Sequence, residues 1–106
     1  MKAESKVVKG MVYRTDGSLE RIELTEKNRL DALQKLVGGL IEIVYLISTK
    51  DEEQENYVNG KDLVINEEGR LLELPPNPWS HMITQGTRWQ GQVFFGDVVK
   101  IHGRLD

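Results

Sequence analysis

The residues best suited to chemistry lie close together in the carboxyl-terminal third, between residues 77 and 92. This segment holds both tryptophans and one of the two histidines. Indole rings stack on flat ligands, and a guanidinium forms paired hydrogen bonds with phosphate or stacks on a base. Short hydroxyl and amide groups would complete the contacts to a polar ligand. The candidate ligand-binding residues are Asn77, Trp79, Ser80, His81, Thr87, Arg88 and Trp89.

These residue types fit two binding roles and one structural role. A tryptophan pair beside an arginine suits a nucleotide-sized ligand, and it equally suits an aromatic hot spot for a protein partner. In the structural alternative, Trp79 and Trp89 close the end of the sheet while Arg88 is simply exposed. The sequence leaves these alternatives open.

Glu42 is the one carboxylate inside an apolar run, Leu40 to Ile47. A buried carboxylate has a raised pKa and can act in acid–base chemistry. The alternative is a position at a strand edge or beside a cation. The cations considered for that pairing are Arg14, Arg21 and Lys100.

Motifs for metal binding or covalent catalysis are missing from the sequence. His81 has no second histidine or acidic residue at the helical spacing of a zinc site, and His102 has Asp106 alone at that spacing, which is too few ligands for such a site. Ser18 and Ser80 lie in no recognisable nucleophile motif, and the chain has no cysteine. We therefore expect a protein that is not an enzyme, with no catalytic residues, metal or cofactor.

Length and composition narrow the class of protein. The 106 residues suit one domain spanning residues 1–106, and the absence of cysteine excludes a disulfide framework. No apolar stretch approaches the length of a membrane helix, and no signal peptide is recognisable at the start. The sequence therefore predicts a cytoplasmic protein without a membrane partner.

Charge is distributed unevenly along the chain. Four bases near the start, Lys2, Lys6, Lys9 and Arg14, support binding to nucleic acid. The formal net charge of -3 opposes strong binding of that kind, so a nucleic-acid partner is not expected. The acidic run at residues 51–55 has the composition of a solvated loop.

The hydrophobic pattern predicts the elements that would position these residues. Asp16-Gly17 indicates the turn of a first hairpin, and Thr25 is the expected cap of an amphipathic helix over residues 26–37. Residues 40–47 are apolar on both faces, which predicts a central strand. The helix would cover one face of that strand, and another element or a partner subunit would cover the other.

Two more strand pairs are expected downstream. Residues 58–65 and 70–74 flank a turn at Asn66-Glu67-Glu68-Gly69, with Leu63, Ile65, Leu71 and Leu72 facing inward. Residues 93–95 and 98–101 flank Gly96-Asp97 as the last pair. The predicted fold class is α+β, a twisted and mainly antiparallel sheet with one principal amphipathic helix.

Several motifs occur in the order of a known family. They are Gly38-Gly39 before Ile41-Glu42, the run Val64 to Arg70, Leu74-Pro75 with Asn77, and Gly96-Asp97-Val98. Together they resemble a small domain-of-unknown-function family common in phages, prophages and conjugative plasmids. The resemblance implies a mobile-element origin and a compact α+β fold, and it implies no reaction. The chain departs from the family in residues 79–92, which are longer and more aromatic than the usual link.

The expected function is therefore binding. One hypothesis is a phage- or plasmid-type accessory protein that sequesters a nucleotide-like signal or other small ligand at the interface of a homo-oligomer, as an anti-defence protein would. The alternative is an inhibitor or adaptor that binds a host protein through the segment from Trp79 to Trp89.

Overall fold

The computed structural model describes residues 7–46 and 62–102. In this part of the chain, five strands and two helices follow one another. They are β1 (Val7–Tyr13), β2 (Leu19–Thr25), α1 (Arg29–Val37), β3 (Ile41–Tyr45), β4 (Asp62–Asn66), α2 (Ser80–Thr84) and β5 (Val98–His102).

The strands form one sheet in the order β2-β1-β5-β4-β3. Each neighbouring pair is antiparallel. The predicted α+β fold with an antiparallel sheet is therefore confirmed. The last strand in sequence, β5, lies at the centre of the sheet.

The first hairpin turns where the sequence predicts. The Arg14 amide donates to the Ser18 carbonyl at 3.0 Å, and the Gly17 amide donates to the Arg14 carbonyl at 3.0 Å. Gly17 has a φ of 90°, a conformation that glycine adopts without steric cost. The Asp16 side chain accepts a hydrogen bond from the Ser18 amide, which fixes the turn further. The turn thus runs from Arg14 to Ser18, and glycine occupies its left-handed position.

Helix α1 begins at Arg29, later than the predicted start near residue 26. Thr25 and Asn28 explain the delay, because each side chain accepts a hydrogen bond from the other residue's amide, at 2.8 and 3.3 Å. This closed turn occupies residues 25–28 before the helix starts. Thr25 therefore stabilises the turn that leads into the helix, and Asn28 stands at the cap position.

One face of the sheet packs against α1. The buried residues there come from α1 and from four strands, and Gly38 ends the helix in the left-handed conformation. The members of this first core cluster are Val12, Leu24, Leu33, Val37, Val64, Val99 and Ile101. Because these side chains alternate with others along each strand, every second residue of the strands faces away from α1.

The prediction that residues 40–47 form a central strand is wrong. The strand is β3, and it lies at the edge of the sheet. Both of its faces are nevertheless covered, since Ile41 and Ile43 pack on the first cluster while Val44 belongs to a second one. Two-sided burial here reflects two covering layers and not two strand neighbours. Ile47 lies outside the described residues.

The second face is covered by the chain itself. Residues 77–96, which include α2, lie across it, and we call them the cover segment. Ile83 and Phe94 of this segment are buried against residues from several strands, and both tryptophans pack against the same group. The buried members of this second core cluster are Tyr13, Val44, Leu46, Leu63, Ile83, Phe94 and Val98. The second face therefore does not need a partner subunit to cover it at these residues.

Residues 70–74 do not form the predicted strand. Residues 67–73 are turns, and the Leu72 amide donates to the Glu68 carbonyl at 2.8 Å, as in a helical turn. Leu71 is 81% exposed and Leu72 53%, so their predicted inward orientation is wrong. Leu63 is fully buried, as predicted. Ile65 is partly buried against the second cluster, which agrees with its predicted orientation.

The predicted pairing of residues 93–95 with 98–101 is also wrong. Phe95 forms only an isolated bridge with Pro76. Strand β5 has no free edge for residues 93–95, because β1 and β4 occupy both of its sides. The predicted strand residues 58–61 and the acidic run 51–55 lie outside the described residues.

Candidate functional site

Asn77 is buried, and its side chain joins three parts of the chain. The amide nitrogen donates to the carbonyl oxygens of Tyr13 at 2.8 Å and Gly96 at 2.9 Å. The amide oxygen accepts a hydrogen bond from the Trp79 backbone at 2.9 Å. Both donor protons and the acceptor are therefore engaged inside the protein.

The two predicted hydroxyl groups of the cover segment are also engaged internally. Ser80 Oγ donates to the Asn77 carbonyl at 2.8 Å and accepts from the Phe94 amide at 2.9 Å. Thr87 Oγ1 donates to the Thr84 carbonyl at 2.7 Å and accepts from the Trp89 amide at 3.0 Å. These bonds hold the cover segment in its own fold.

The two tryptophans pack inward and differ in their ring nitrogens. The Trp79 ring lies edge-on to Tyr13, with centroids 5.8 Å apart, and its Nε1 is buried without a hydrogen-bond partner within the described residues. Trp89 Nε1 donates to the Tyr45 carbonyl at 2.9 Å, beside the edge strand β3. Both rings therefore pack on the second face of the sheet, which favours a structural role for them.

His81 and Arg88 are the exposed members of the predicted site. They belong to the same segment as Trp79 and Trp89, whose rings are directed into the second cluster. The structure thus brings the seven candidates into one folded segment but assigns most of their polar groups to internal bonds. A binding role for the segment stays a prediction.

The motifs of the family resemblance also hold the fold together. Asn66 Nδ2 donates to the carbonyl of Val37 at 3.0 Å, and Asn66 Oδ1 accepts from the Glu68 amide at 2.7 Å. Gly69 lies so close to Phe95 that an added Cβ would come within 2.6 Å of the Phe95 carbonyl oxygen. These contacts tie the end of α1 and the cover segment to the turn after β4.

Asp97, just before β5, holds the turn of the first hairpin. Its carboxylate accepts from the Thr15 amide at 2.9 Å and contacts Arg14, which also pairs with Glu20. The hydrogen bond with Glu20 is the main cause that raises the pKa of Arg14. Arg14 is one of the four bases considered for nucleic acid, and here it is part of a structural ion-pair network.

A concave surface lies on the second face of the sheet, beside the part of that face on which the cover segment packs. It is an open groove of about 620 Å³ over the strands β2, β1 and β5, and we call it the β2-β1-β5 groove. Its lining residues are Lys9, Gly10, Met11, Arg21, Ile22, Glu23 and His102. No residue of the cover segment lines it.

Strand register explains how the groove is built. Lys9 lies directly opposite Glu23 on β2 and His102 on β5, so these three side chains form one row across the sheet. Met11 lies opposite Arg21 and Lys100, which form the next row. Directly opposed residues share a face, so both rows rise from the side of the sheet that faces away from α1.

The charges in these rows are unequal. Among the six residues of these rows, Lys9, Arg21 and Lys100 are cationic and Glu23 is the one carboxylate. Met11 is half-buried between the two cations of its row and offers an apolar contact. The groove therefore combines an excess of positive charge with an apolar centre, which suits an anion that also carries a flat or apolar group.

A second cavity, beside the turn after β4, is much smaller. It has a volume of about 120 Å³, and Arg70 lies over the Phe95 ring there, 5.8 Å from its centroid. Ligand sites usually have volumes of roughly 300–1,000 Å³. The β2-β1-β5 groove falls in this range, and this cavity does not.

The structure also tests the predictions for Glu42, for a metal site and for a membrane helix. Glu42 is exposed on the edge strand β3, which excludes the buried carboxylate and agrees with the edge position. No three acidic or histidine side chains converge as a metal site within residues 7–46 and 62–102. In the same ranges, no helix has the length and apolar character needed to cross a membrane.

The β2-β1-β5 groove is not predicted from the sequence. Part of it can be found in the sequence, because Lys9 and Met11 lie two residues apart in one arm of the predicted hairpin. Arg21 and Glu23 lie two residues apart in the other arm. Residues two apart in a strand share a face. The contribution of β5 could not be found in this way, because nothing in the local pattern places β5 beside β1.

Fold and surface together define a small α+β domain with a covered sheet and a cation-rich groove. The chain belongs to the family described as the domain of unknown function DUF3846, whose model matches residues 8–104. Comparison with curated proteins and with solved structures gave no match.

Proposed function

We propose that this protein acts by binding, and that it sequesters an anionic, nucleotide-like ligand in the β2-β1-β5 groove. The observation that carries this proposal is the groove itself, a concavity of about 620 Å³ with Lys9 and Arg21 around Met11. We also propose the setting suggested by the family resemblance, an anti-defence accessory protein of a phage or plasmid in the bacterial cytoplasm.

Four of the lining side chains have a counterpart in a nucleotide. Lys9 and Arg21 would bind phosphate oxygens, and Arg21 can do so with two parallel hydrogen bonds. The Met11 thioether would contact the base, since sulfur packs favourably on aromatic rings. Glu23 would accept a hydrogen bond from a sugar hydroxyl or an exocyclic amine.

The proposed ligand site lies away from the two tryptophans. The side chains of Asn77, Ser80 and Thr87 already form hydrogen bonds with the protein's own backbone. A ligand bound to them would have to break those bonds. In the described part of the chain, the side chains of the groove residues Lys9 and Arg21 form no hydrogen bond or ion pair that a ligand would have to break.

Calorimetric titration with nucleoside di- and triphosphates and with cyclic dinucleotides tests the proposal. We expect Arg21→Ala and Lys9→Ala each to weaken binding roughly tenfold to a hundredfold, because a charged hydrogen bond contributes about 1.5–3 kcal/mol. Lys35→Ala is the control, since Lys35 is an exposed cation on α1, which packs on the opposite face.

The outcomes separate the possible sites. Loss of binding in Arg21→Ala with binding kept in Lys35→Ala would support the groove. Loss in Arg88→Ala with binding kept in Arg21→Ala would return the site to the cover segment. If none of these nucleotides produced heat with the wild-type protein, the proposed function would be wrong.

The cover segment supports the second candidate function, binding to a host protein. Met82 and Val93 are 49% and 43% exposed, and they belong to the same segment as the exposed His81 and Arg88. Exposed apolar side chains beside an arginine are typical of a protein interface. A stoichiometric complex with a host protein that Met82→Asp abolishes, and Arg21→Ala leaves intact, would favour this function.

A further inference from the structure

Strand β2 has an edge that is open to pairing. It is seven residues long, and among residues 7–46 and 62–102 it pairs only with β1. An edge strand presents a row of backbone donors and acceptors that another strand can bind.

The first hairpin determines which backbone groups point outward. The Arg14 amide bonds to the Ser18 carbonyl, so these two residues face each other as a hydrogen-bonded pair. Backbone direction alternates along a strand, so Ile22 directs its amide and carbonyl toward β1. Arg21 and Glu23 therefore direct theirs away from β1, toward the open edge.

We infer that a second copy of this chain pairs along β2, antiparallel and with the twofold axis at Ile22. In this register Arg21 lies opposite Glu23 of the second copy, and Glu23 lies opposite Arg21 of the second copy. Two of the residues that present outward backbone groups are thus also a matched pair of opposite charges. Neither side chain forms an ion pair within the described part of the chain, so both are free to form this one.

The other face of the pairing is apolar at its centre. Ile22 is half-buried at the rim of the first cluster, and the twofold axis places it against its own copy. A twofold interface must be self-complementary, since each residue meets the partner position of the same surface. Opposite charges flanking a central isoleucine satisfy this requirement.

The interface would also change the binding site. Arg21 and Glu23 line the β2-β1-β5 groove, so pairing along β2 sets the two grooves side by side on one continuous sheet. Each groove gains the other copy's Arg21 and Glu23 at its outer wall. This part of the inference rests on the proposed function, whereas the pairing itself does not.

The expected dimer is weak. One pair of seven-residue strands buries less surface than a standard interface, so association should depend on protein concentration. The charges act across a solvent-accessible edge, and added salt should weaken them. Dimers are therefore expected at high concentration and low salt.

Sedimentation velocity over a range of concentrations, without any nucleotide, is the test. Arg21→Glu places carboxylates opposite each other at two positions, and Glu23→Arg does the same with guanidinium groups. We expect each single variant to weaken association at least tenfold, and the double variant R21E/E23R to restore it. Glu42→Arg on β3, the other edge strand, is the control and should associate as wild type does.

Mixing the two single variants sharpens the test. Each alone should be monomeric, yet an equimolar mixture should form a heterodimer, because every carboxylate of one then meets a guanidinium of the other. A wild-type protein that is monomeric throughout, single variants that associate normally, or a mixture that stays monomeric would each overturn the inference. Circular dichroism of each variant confirms that it is folded.

Because no nucleotide is present, this result is independent of the calorimetric one. If the protein dimerises but binds no nucleotide, the inferred interface is supported and the proposed function is wrong. If the protein binds nucleotide but is always monomeric, the proposed function is supported and the inferred interface is wrong.

Discussion

Single side chains hold this protein's cover segment in place, and Asn77 does so most directly. Its amide group bonds to the end of β1, to the residue before Asp97 and to the backbone of Trp79. A buried amide with all its groups satisfied fixes geometry, because leaving any partner unsatisfied is costly. The buried polar side chains of the cover segment therefore stabilise the fold.

Asn77→Asp tests that role with almost no change in size. The carboxylate would face two carbonyl oxygens, at positions where the amide now donates, so we expect a loss of about 3 kcal/mol or more in the free energy of unfolding. Chemical denaturation at neutral pH measures the loss. Asn28→Asp is the matched control, since Asn28 is exposed and uses its oxygen as an acceptor.

The control should be nearly neutral, because a carboxylate retains that acceptor and is favoured at the start of a helix. Equal effects of the two substitutions would show that Asn77 does not hold the cover segment. The pair therefore separates loss of a buried donor from introduction of a charge.

Residue types alone showed which side chains can bind, but not which are already engaged. Tryptophan, arginine and short polar groups at residues 77–89 have the composition of a ligand site, and the same composition closes a sheet. The difference depends on bonds to Tyr13, Gly96 and Tyr45, which are distant in sequence. Local spacing carries no information about such bonds, so this part of the site could not be predicted.

Elements in this structure are joined by close backbone approaches. The turn after β4 meets the cover segment at Gly69, where an added Cβ would lie 2.6 Å from the Phe95 carbonyl oxygen. The same turn holds the end of α1 through Asn66. These two residues therefore connect the layers on both faces of the sheet.

Gly69→Ala should be costly because the obstacle is backbone and cannot move aside. We expect a loss of about 2–3 kcal/mol in stability, the usual range for an overpacked site. Gly91→Ala is the comparison, since Gly91 has a φ of 94° but nothing within 4 Å of an added Cβ. Its cost should be about 1 kcal/mol, from the left-handed backbone alone. Thermal denaturation that ranked the two variants in the opposite order would contradict the close approach.

Local elements were predictable, and their arrangement was not. Turn chemistry at Asp16-Gly17 and periodicity in residues 30–37 identified the first hairpin and α1. The register of that hairpin depends on the turn starting at Arg14, and a shift of one residue would move Lys9 to the other face. Two-sided apolar character indicated a central position for β3, but covering layers produce the same pattern at an edge.

Across the whole molecule, the central strand connects two halves of the sheet. Strands β2 and β1 lie on one side of β5, and β4 and β3 lie on the other. Val98, Val99 and Ile101 are fully buried and contribute to both core clusters. The stability of both halves therefore depends on β5.

Amide hydrogen exchange should reflect this dependence. We expect the slowest exchange in β5, which opens only with global unfolding, and faster exchange in the outer strands β2 and β3. Mass spectrometry or NMR of the exchanging protein at low concentration measures the order. At high concentration, pairing along β2 should slow the outward amides of Arg21 and Glu23, but not those of β3.

The position of β5 also has a consequence for how the protein is made. A ribosome releases β1, β2, β3 and β4 before β5, yet within residues 7–46 and 62–102 the two strand pairs that they form are joined in the sheet only through β5. Folding of the sheet must therefore wait until residues 98–102 have left the exit tunnel. Until then each strand pair lacks its central neighbour, and incompletely buried apolar surface of this kind favours chaperone binding.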